Sequence, residues 1–147
     1  MSTYNVHAGH CPQDEGAYGA VGILQESVED RIVKNAVIAK LENLGHTVYD
    51  CTCDENTSQN GCLATIVSKC NSHNVDLDIS IHLNSGRGDY EGDDSSGGTE
   101  VMDMILEQKK LVRRFVRQFQ KNLILETEDL RSIRDFMFLE TQKPLLF

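Results

Sequence analysis

The spacing of apolar residues changes along the chain. Some segments alternate or are continuously apolar, as in strands, and others repeat every three to four residues, as in helices. Short apolar segments predict strands at residues 3–7, 46–51, 75–82, 99–105 and 136–139, and residues 144–147 look like the start of a sixth. Longer segments with apolar residues three and four positions apart predict helices near residues 27–44, 58–73 and 106–127. This alternation is typical of an α/β protein with a largely parallel sheet.

The expected fold is a three-layer sandwich in which helices flank a twisted, mostly parallel sheet of five to six strands. Ser27 is expected to cap the first helix and Gly45 to end it. Three residues of the third strand, Leu77, Ile79 and Ile81, should share one face. The inward residues of the first helix are predicted to be Ile32, Val33, Ala36, Val37, Ala39, Leu41 and Leu44. Those of the second are predicted to be Leu63, Ile66, Val67 and Cys70.

The composition excludes several classes of function. The chain has 147 residues, 14 Lys and Arg against 23 Asp and Glu, and a formal net charge of −9. Because phosphate binding depends on cationic side chains, no nucleic acid is expected as a partner. No apolar run reaches the roughly 18 residues that suggest a membrane span. The N-terminus does not resemble a signal peptide, and no linker or repeat divides residues 1–147, so one domain made in the cytoplasm is expected.

The five cysteines are Cys11, Cys51, Cys53, Cys62 and Cys70. Their odd number and the lack of a signal peptide favour reduced thiols. Cys51 and Cys53 would share a face if both lay on a strand. Cys53 and Cys62 could bind a metal, but no second paired motif supports a four-cysteine zinc site. Structural or incidental roles are therefore expected.

Three polar residues stand where one edge of the predicted sheet would form. His10 follows the first strand, His82 ends the third, and Glu26 lies just ahead of the first helix. Ligand sites in open α/β sheets lie beyond the carboxyl ends of the strands, so these side chains should converge. Two imidazoles and a carboxylate are a common ligand set for catalytic zinc, and such a site suggests hydrolysis of an amide or ester.

Each of these residues also has an ordinary structural explanation. A histidine at a strand end is more often a hydrogen-bonded structural group than a metal ligand. A glutamate at a helix start interacts favourably with the positive end of the helix dipole. The spacing alone is therefore weak evidence for a metal site.

Several segments form a wider pattern: VHAGH at 6–10, GAVGILQES at 19–27, LGHTV at 44–48, SIHLNS at 80–85, GTEV at 98–101, and RDFMFL at 134–139 followed by KP at 143–144. With these segments the chain resembles the zinc-dependent N-acetylmuramoyl-L-alanine amidases of the amidase type 3 family. These are found in bacterial autolysins, sporulation lysins and phage endolysins, particularly clostridial ones. The resemblance covers nearly the whole chain.

The resemblance implies that His10, Glu26 and His82 are Zn²⁺ ligands and that Asn84 orients the site or the substrate. His7 falls where the family places no ligand. The implied reaction is hydrolysis of the amide bond between N-acetylmuramic acid and L-alanine, which degrades the bacterial cell wall. The implied partner is peptidoglycan, which the protein would reach after release from the cytoplasm. A separate wall-targeting domain or a partner chain could direct it there.

The chain departs from the family pattern at its end. The family's general-base glutamate is expected just beyond Phe147, so we expect a domain without the end of its last strand and its final helix. A general base contributes roughly 10²–10⁴-fold, so impaired activity is expected. One alternative is a non-catalytic, zinc-containing module that binds peptidoglycan. Another is a metal-free structural or interaction protein, which requires that His10 and His82 do not converge.

Overall fold

The computed structural model describes residues 1–12, 17–22, 24–83, 100–103 and 137–142. The elements in these ranges are β1 (Thr3–Ala8), α1 (Glu26–Asn43), β2 (Thr47–Asp50), α2 (Gln59–Asn71), β3 (Leu77–Leu83), β4 (Glu100–Asp103) and β5 (Met137–Gln142). The strands predicted at 3–7, 46–51 and 75–82 are confirmed, with small shifts at their ends. The predicted loop at 85–98, helix at 106–127 and strand at 144–147 lie outside the described residues.

The first three strands form a parallel sheet with β1 at its centre. β1 pairs in parallel with β2 on one side and with β3 on the other. Beyond β3, pairing continues antiparallel to β5 and then parallel from β5 to β4, in the order β2-β1-β3-β5-β4. The mixed α/β fold and the parallel sheet are confirmed for the first three strands. The full count of five to six strands stays a prediction, since 84–99 and 104–136 lie outside the described part.

One face of this sheet packs against α1. The core there consists of buried apolar residues from β1, β3 and α1: Val6, Val33, Val37, Leu41, Leu77, Ile79 and Ile81. The predicted shared face of Leu77, Ile79 and Ile81 is therefore confirmed. Fully burying an aliphatic side chain of this size contributes about 1.5–3 kcal/mol. This core fixes α1, and with it the start of the helix, against the carboxyl ends of β1 and β3.

α1 begins one residue earlier than predicted. Gln25 is the N-cap residue and makes no side-chain capping bond, so the predicted cap at Ser27 is wrong. The Glu26 amide instead donates to the Ala20 carbonyl at 3.0 Å, so the preceding loop supplies an acceptor for the first turn. At the other end the prediction is confirmed, because Gly45 adopts φ +82° directly after the C-cap residue.

The inward face of α1 is narrower than predicted. Val33, Val37 and Leu41 are buried at four-residue spacing. The predicted inward residues that are instead exposed are Ile32, Ala36, Ala39 and Leu44. Lys34 is buried beside this face, and its Nζ lies 2.6 Å from the Asp50 carboxylate at the end of β2. An ion pair therefore occupies part of the surface that a purely apolar pattern assigns to aliphatic packing.

α2 approaches the opposite face of the sheet. Asn5 alternates with Val6 along β1, and its side-chain amide donates to the Cys70 carbonyl of α2 at 3.0 Å. The helix is capped by Ser58, whose hydroxyl accepts from the Gly61 amide at 3.2 Å. Within the described residues, neither helix has the length and apolar character needed to cross a membrane.

The inward face of α2 was only partly predicted. Ile66 is buried as expected, and Cys62 is buried one turn before it. Leu63 and Val67 are 51% and 42% exposed, so their predicted inward placement is wrong. The buried stripe of α2 therefore begins with a thiol rather than with a leucine.

Candidate functional site

His10, Glu26 and His82 lie together at the carboxyl edge of β1 and β3. His10 follows β1 by two residues, His82 is the penultimate residue of β3, and Glu26 is the first residue of α1 rather than a residue ahead of it. His10 Nε2 and His82 Nδ1 lie 3.1 and 3.3 Å from Glu26 Oε1. The two ring nitrogens are 3.2 Å apart. The structure thus brings the three sequence-predicted residues to one point.

These three atoms form a nearly equilateral triangle. In a tetrahedral zinc site with metal–ligand distances of about 2.0–2.1 Å, ligand atoms lie about 3.3 Å from one another. The two rings meet edge to face, with an interplanar angle of 88°, so they do not stack against each other. Together with Asp30, the three side chains could hold a metal ion. The donor set and its spacing therefore fit a small divalent cation.

The Glu26 carboxylate is held from two sides. Its Oε2 accepts from the Ala20 amide at 2.8 Å, and its Oε1 accepts from the Leu83 amide at 3.1 Å. Burial alone would raise the pKa of Glu26, but hydrogen bonds from His10, His82 and the Ala20 amide together lower it well below its ordinary value. The carboxylate is therefore ionised at neutral pH, as a metal ligand must be.

Two glycines allow the ligand side chains to approach the backbone. A Cβ atom at Gly9 would overlap the His82 imidazole. Gly19 has φ +80°, and a Cβ atom there would lie 2.6 Å from Glu26 Oε2 and 2.7 Å from His10 Cδ2. The site therefore depends on two positions where a side chain would displace a ligand.

Asp30 is the site residue that sequence reasoning missed. It lies one helical turn after Glu26 and is fully buried, and the backbone amides of Gly9 and Leu83 face its carboxylate. Burial, and then the charge of Glu26, raise the pKa of Asp30 to about 8. The sequence feature that could have identified Asp30 is its four-residue spacing from Glu26, because this spacing places both carboxylates on one side of a helix.

Arg31 connects the loop that carries His10 to the loop that follows β2. Its Nη2 donates to the carbonyl oxygens of His10 at 3.0 Å and Cys53 at 2.8 Å. Its Nη1 donates to the Ser27 carbonyl at 2.8 Å, and its Nε donates to Asp54 at 3.0 Å. One guanidinium thus holds the backbone of the loop after β1 and that of the loop after β2 in place.

Two other predicted site features have different outcomes. His7 is buried, with Nδ1 3.2 Å from the Ala8 carbonyl oxygen, and it lies outside the group of ligand atoms. Asn84 lies outside the described residues, so its contact with substrate stays a prediction. The metal-free alternative was tied to a separation of His10 and His82. Their ring nitrogens lie 3.2 Å apart, and the binding of a metal there stays a prediction.

All five cysteines are free thiols, and they separate into two groups. Cys11, Cys53 and Cys62 lie together, with their sulfur atoms within 4.8 Å of one another. The Cys51 and Cys70 thiols are hydrogen-bonded to each other. Cys51 and Cys53 would share a face only on a strand, and that condition is not met because β2 ends at Asp50 and both cysteines follow it.

Comparison with known proteins places these features in a family. The sequence profile of the N-acetylmuramoyl-L-alanine amidase family matches residues 5–142. An uncharacterized protein of Clostridium perfringens strain 13 (type A) and an uncharacterized 38.4 kDa protein of the same species are each 40% identical over 79 residues. That segment is 52% of this chain, and the chain spans 22% of the length of each relative. Because the profile matches most of its length, the chain belongs to the N-acetylmuramoyl-L-alanine amidase family.

Proposed function

We propose that this protein hydrolyses the amide bond between N-acetylmuramic acid and L-alanine in peptidoglycan, with Zn²⁺ held by His10, Glu26 and His82. Family membership supports peptidoglycan amidase activity in general. The observation that carries the zinc assignment is the triangle of Glu26 Oε1, His10 Nε2 and His82 Nδ1, with sides of 3.1–3.3 Å. Asn84 as a substrate contact is part of the same proposal.

The contacts of each described site residue indicate its role in binding zinc. His10 and His82 each direct one ring nitrogen toward the common point, and Glu26 adds the negative charge there. The Ala20 and Leu83 amides keep the Glu26 carboxylate in one orientation. When bound, zinc would supply Lewis-acid polarisation of the scissile carbonyl and would make a nearby water more acidic.

Asp30 limits the negative charge of the site. In the metal-free protein the pKa of Asp30 is about 8, so this carboxyl keeps its proton at neutral pH and Glu26 is the main anionic group facing the two histidines before a cation binds. A site with two histidines and one charged carboxylate binds zinc with a net positive charge, which favours attraction of carbonyl oxygen. The proposed place of action is the cell wall, after release and with targeting supplied by another domain or chain.

The test pairs zinc content with hydrolysis of purified peptidoglycan. The reduced chain is stripped with a chelator and reloaded with Zn²⁺, and newly exposed L-alanine amino groups are counted. Glu26→Gln keeps the shape of the side chain but removes the charge, so we expect loss of zinc from this site and of hydrolysis. Glu29→Gln, in the same helical turn, is the matched control and should retain both.

Three results would contradict parts of this proposal. Hydrolysis that persists in the Glu26→Gln variant would exclude Glu26 as a ligand. Zinc binding without release of amino groups would favour the peptidoglycan-binding module over the enzyme. Absence of zinc from the unaltered chain would reject the metal site.

A further inference from the structure

A second group of possible metal ligands lies apart from the histidines. Cys11 belongs to the loop after β1, Cys53 to the loop after β2, and Cys62 to the first turn of α2. The three side chains are 0%, 0% and 3% exposed. Their sulfur atoms lie within 4.8 Å of one another. Three distant segments of the chain therefore bring three thiols into one buried cluster.

The spacing of these sulfur atoms is close to that of a thiolate metal site. With metal–sulfur distances of about 2.3 Å, the sulfur atoms of a tetrahedral site lie about 3.8 Å apart. Two of the thiols also contact backbone carbonyls: Cys11 Sγ donates to the Thr57 carbonyl at 3.6 Å, and Cys53 Sγ donates to the Glu55 carbonyl at 3.8 Å. Small rotations about the side-chain bonds would bring the three sulfur atoms around a cation.

The ordinary explanation is that the thiols pack as small apolar groups. They form a cluster with Ile66, and Ala17 and Cys70 pack against it. Packing accounts for their burial, but it does not require sulfur at all three positions. Burial and hydrogen bonds with Cys11 and Cys53 raise the pKa of the Cys62 thiol, so a metal would have to displace its proton. The position of Cys62 at a helix N-terminus favours the resulting thiolate.

We propose that Cys11, Cys53 and Cys62 form a second metal site, which binds a thiophilic cation such as Zn²⁺, Cd²⁺ or Cu⁺. The donors are all sulfur, and the described residues add no histidine or carboxylate to the group, so soft cations are favoured over Mg²⁺ or Ca²⁺. The bound cation would tie the loop carrying His10 to the loop after β2 and to α2. Arg31 already bridges the first two of these loops.

The test uses Co²⁺ as the probe, because thiolate–cobalt contacts give an intense near-ultraviolet charge-transfer band that histidine and carboxylate ligands do not. The full chain is reduced with a phosphine, stripped and titrated with Co²⁺. We expect two bound equivalents and the charge-transfer band. The triple variant Cys11→Ser/Cys53→Ser/Cys62→Ser should lose the band and one equivalent. The matched control Cys51→Ser/Cys70→Ser should keep both.

The titration of the unaltered chain does not depend on whether a variant folds. Absence of the charge-transfer band from that chain would overturn the proposal, as would a band that survives in the folded triple variant. The Glu26→Gln variant separates this site from the histidine site, because it should lose hydrolysis and one equivalent while keeping the thiolate band. Retained hydrolysis without any thiolate band would reject only the cysteine site.

Discussion

At the scale of single residues, two glycines set how closely the ligand side chains can gather. The positions of His10, Glu26 and His82 were predictable because strand ends and helix starts meet at one edge of an α/β sheet. The need for glycine at position 9 was not predictable, since it follows from the His82 ring lying directly over that backbone. Asp30 was missed because an acidic residue three positions after Ser27 is also what a capping box at the start of the helix would contain.

Replacing Gly9 by alanine should weaken metal binding. The added methyl would overlap the His82 imidazole, so the ring or the β1 backbone has to move. Displacing a group that orients a ligand costs about 10–100-fold in metal affinity, and we expect a loss in that range. Zinc affinity is measured by competition with a chromophoric chelator. Gly22→Ala is the control, because no atom lies within 4 Å of a Cβ there, and an equal loss in both variants would contradict the explanation.

At the scale of elements, the two faces of the sheet are covered in different ways. Leu77, Ile79 and Ile81 were predictable because they face an apolar stripe of α1. The face toward α2 carries buried polar residues, among them Asn5 and Asp78, whose side chains are hydrogen-bonded at 2.5 Å. A pattern of apolar residues does not locate a helix that rests partly on polar and thiol groups. Ile66 was therefore placed correctly, but Leu63 and Val67 were not.

Alanine substitutions in α2 should distinguish the observed face from the predicted one. Ile66→Ala removes a buried side chain and should lower the free energy of unfolding by about 2–4 kcal/mol. Leu63→Ala, at a position 51% exposed, should change it by about 0.5 kcal/mol or less. Urea denaturation followed by circular dichroism measures both. Equal losses, or a larger loss for Leu63→Ala, would mean that α2 is rotated relative to the described orientation.

At the scale of the whole molecule, the proposed zinc site links parts of the chain that are far apart in sequence. Its ligands come from the loop after β1, the start of α1 and the end of β3, which only the parallel sheet brings together. The α/β class was predictable from the alternation of strands and helices. The order of strands was not, because sequence pattern does not specify which edge of β1 receives β3.

Zinc should therefore stabilise the folded chain by mass action. A ligand that binds only the folded state adds about 2.7 kcal/mol at a free concentration of 100 times its dissociation constant. We expect zinc at such a concentration to raise the free energy of unfolding by about this amount. The Glu26→Gln variant should lack the part of this increase that comes from the histidine site. Denaturant titrations at several buffered zinc concentrations measure it. A rise of the same size in Glu26→Gln would show that zinc acts elsewhere.

The parallel pairing of β1 with β3 also governs the order of events during folding. His10 and His82 reach each other only after these two strands, which are separated by α1, β2 and α2, have closed the longest connection within the parallel sheet. Closing a connection of this length costs chain entropy before its contacts form, so we expect the contacts between the ligands to form late. Contacts made after the rate-limiting barrier lower the unfolding rate and leave the folding rate almost unchanged. A bound cation would thus lengthen the lifetime of the folded protein without accelerating its formation.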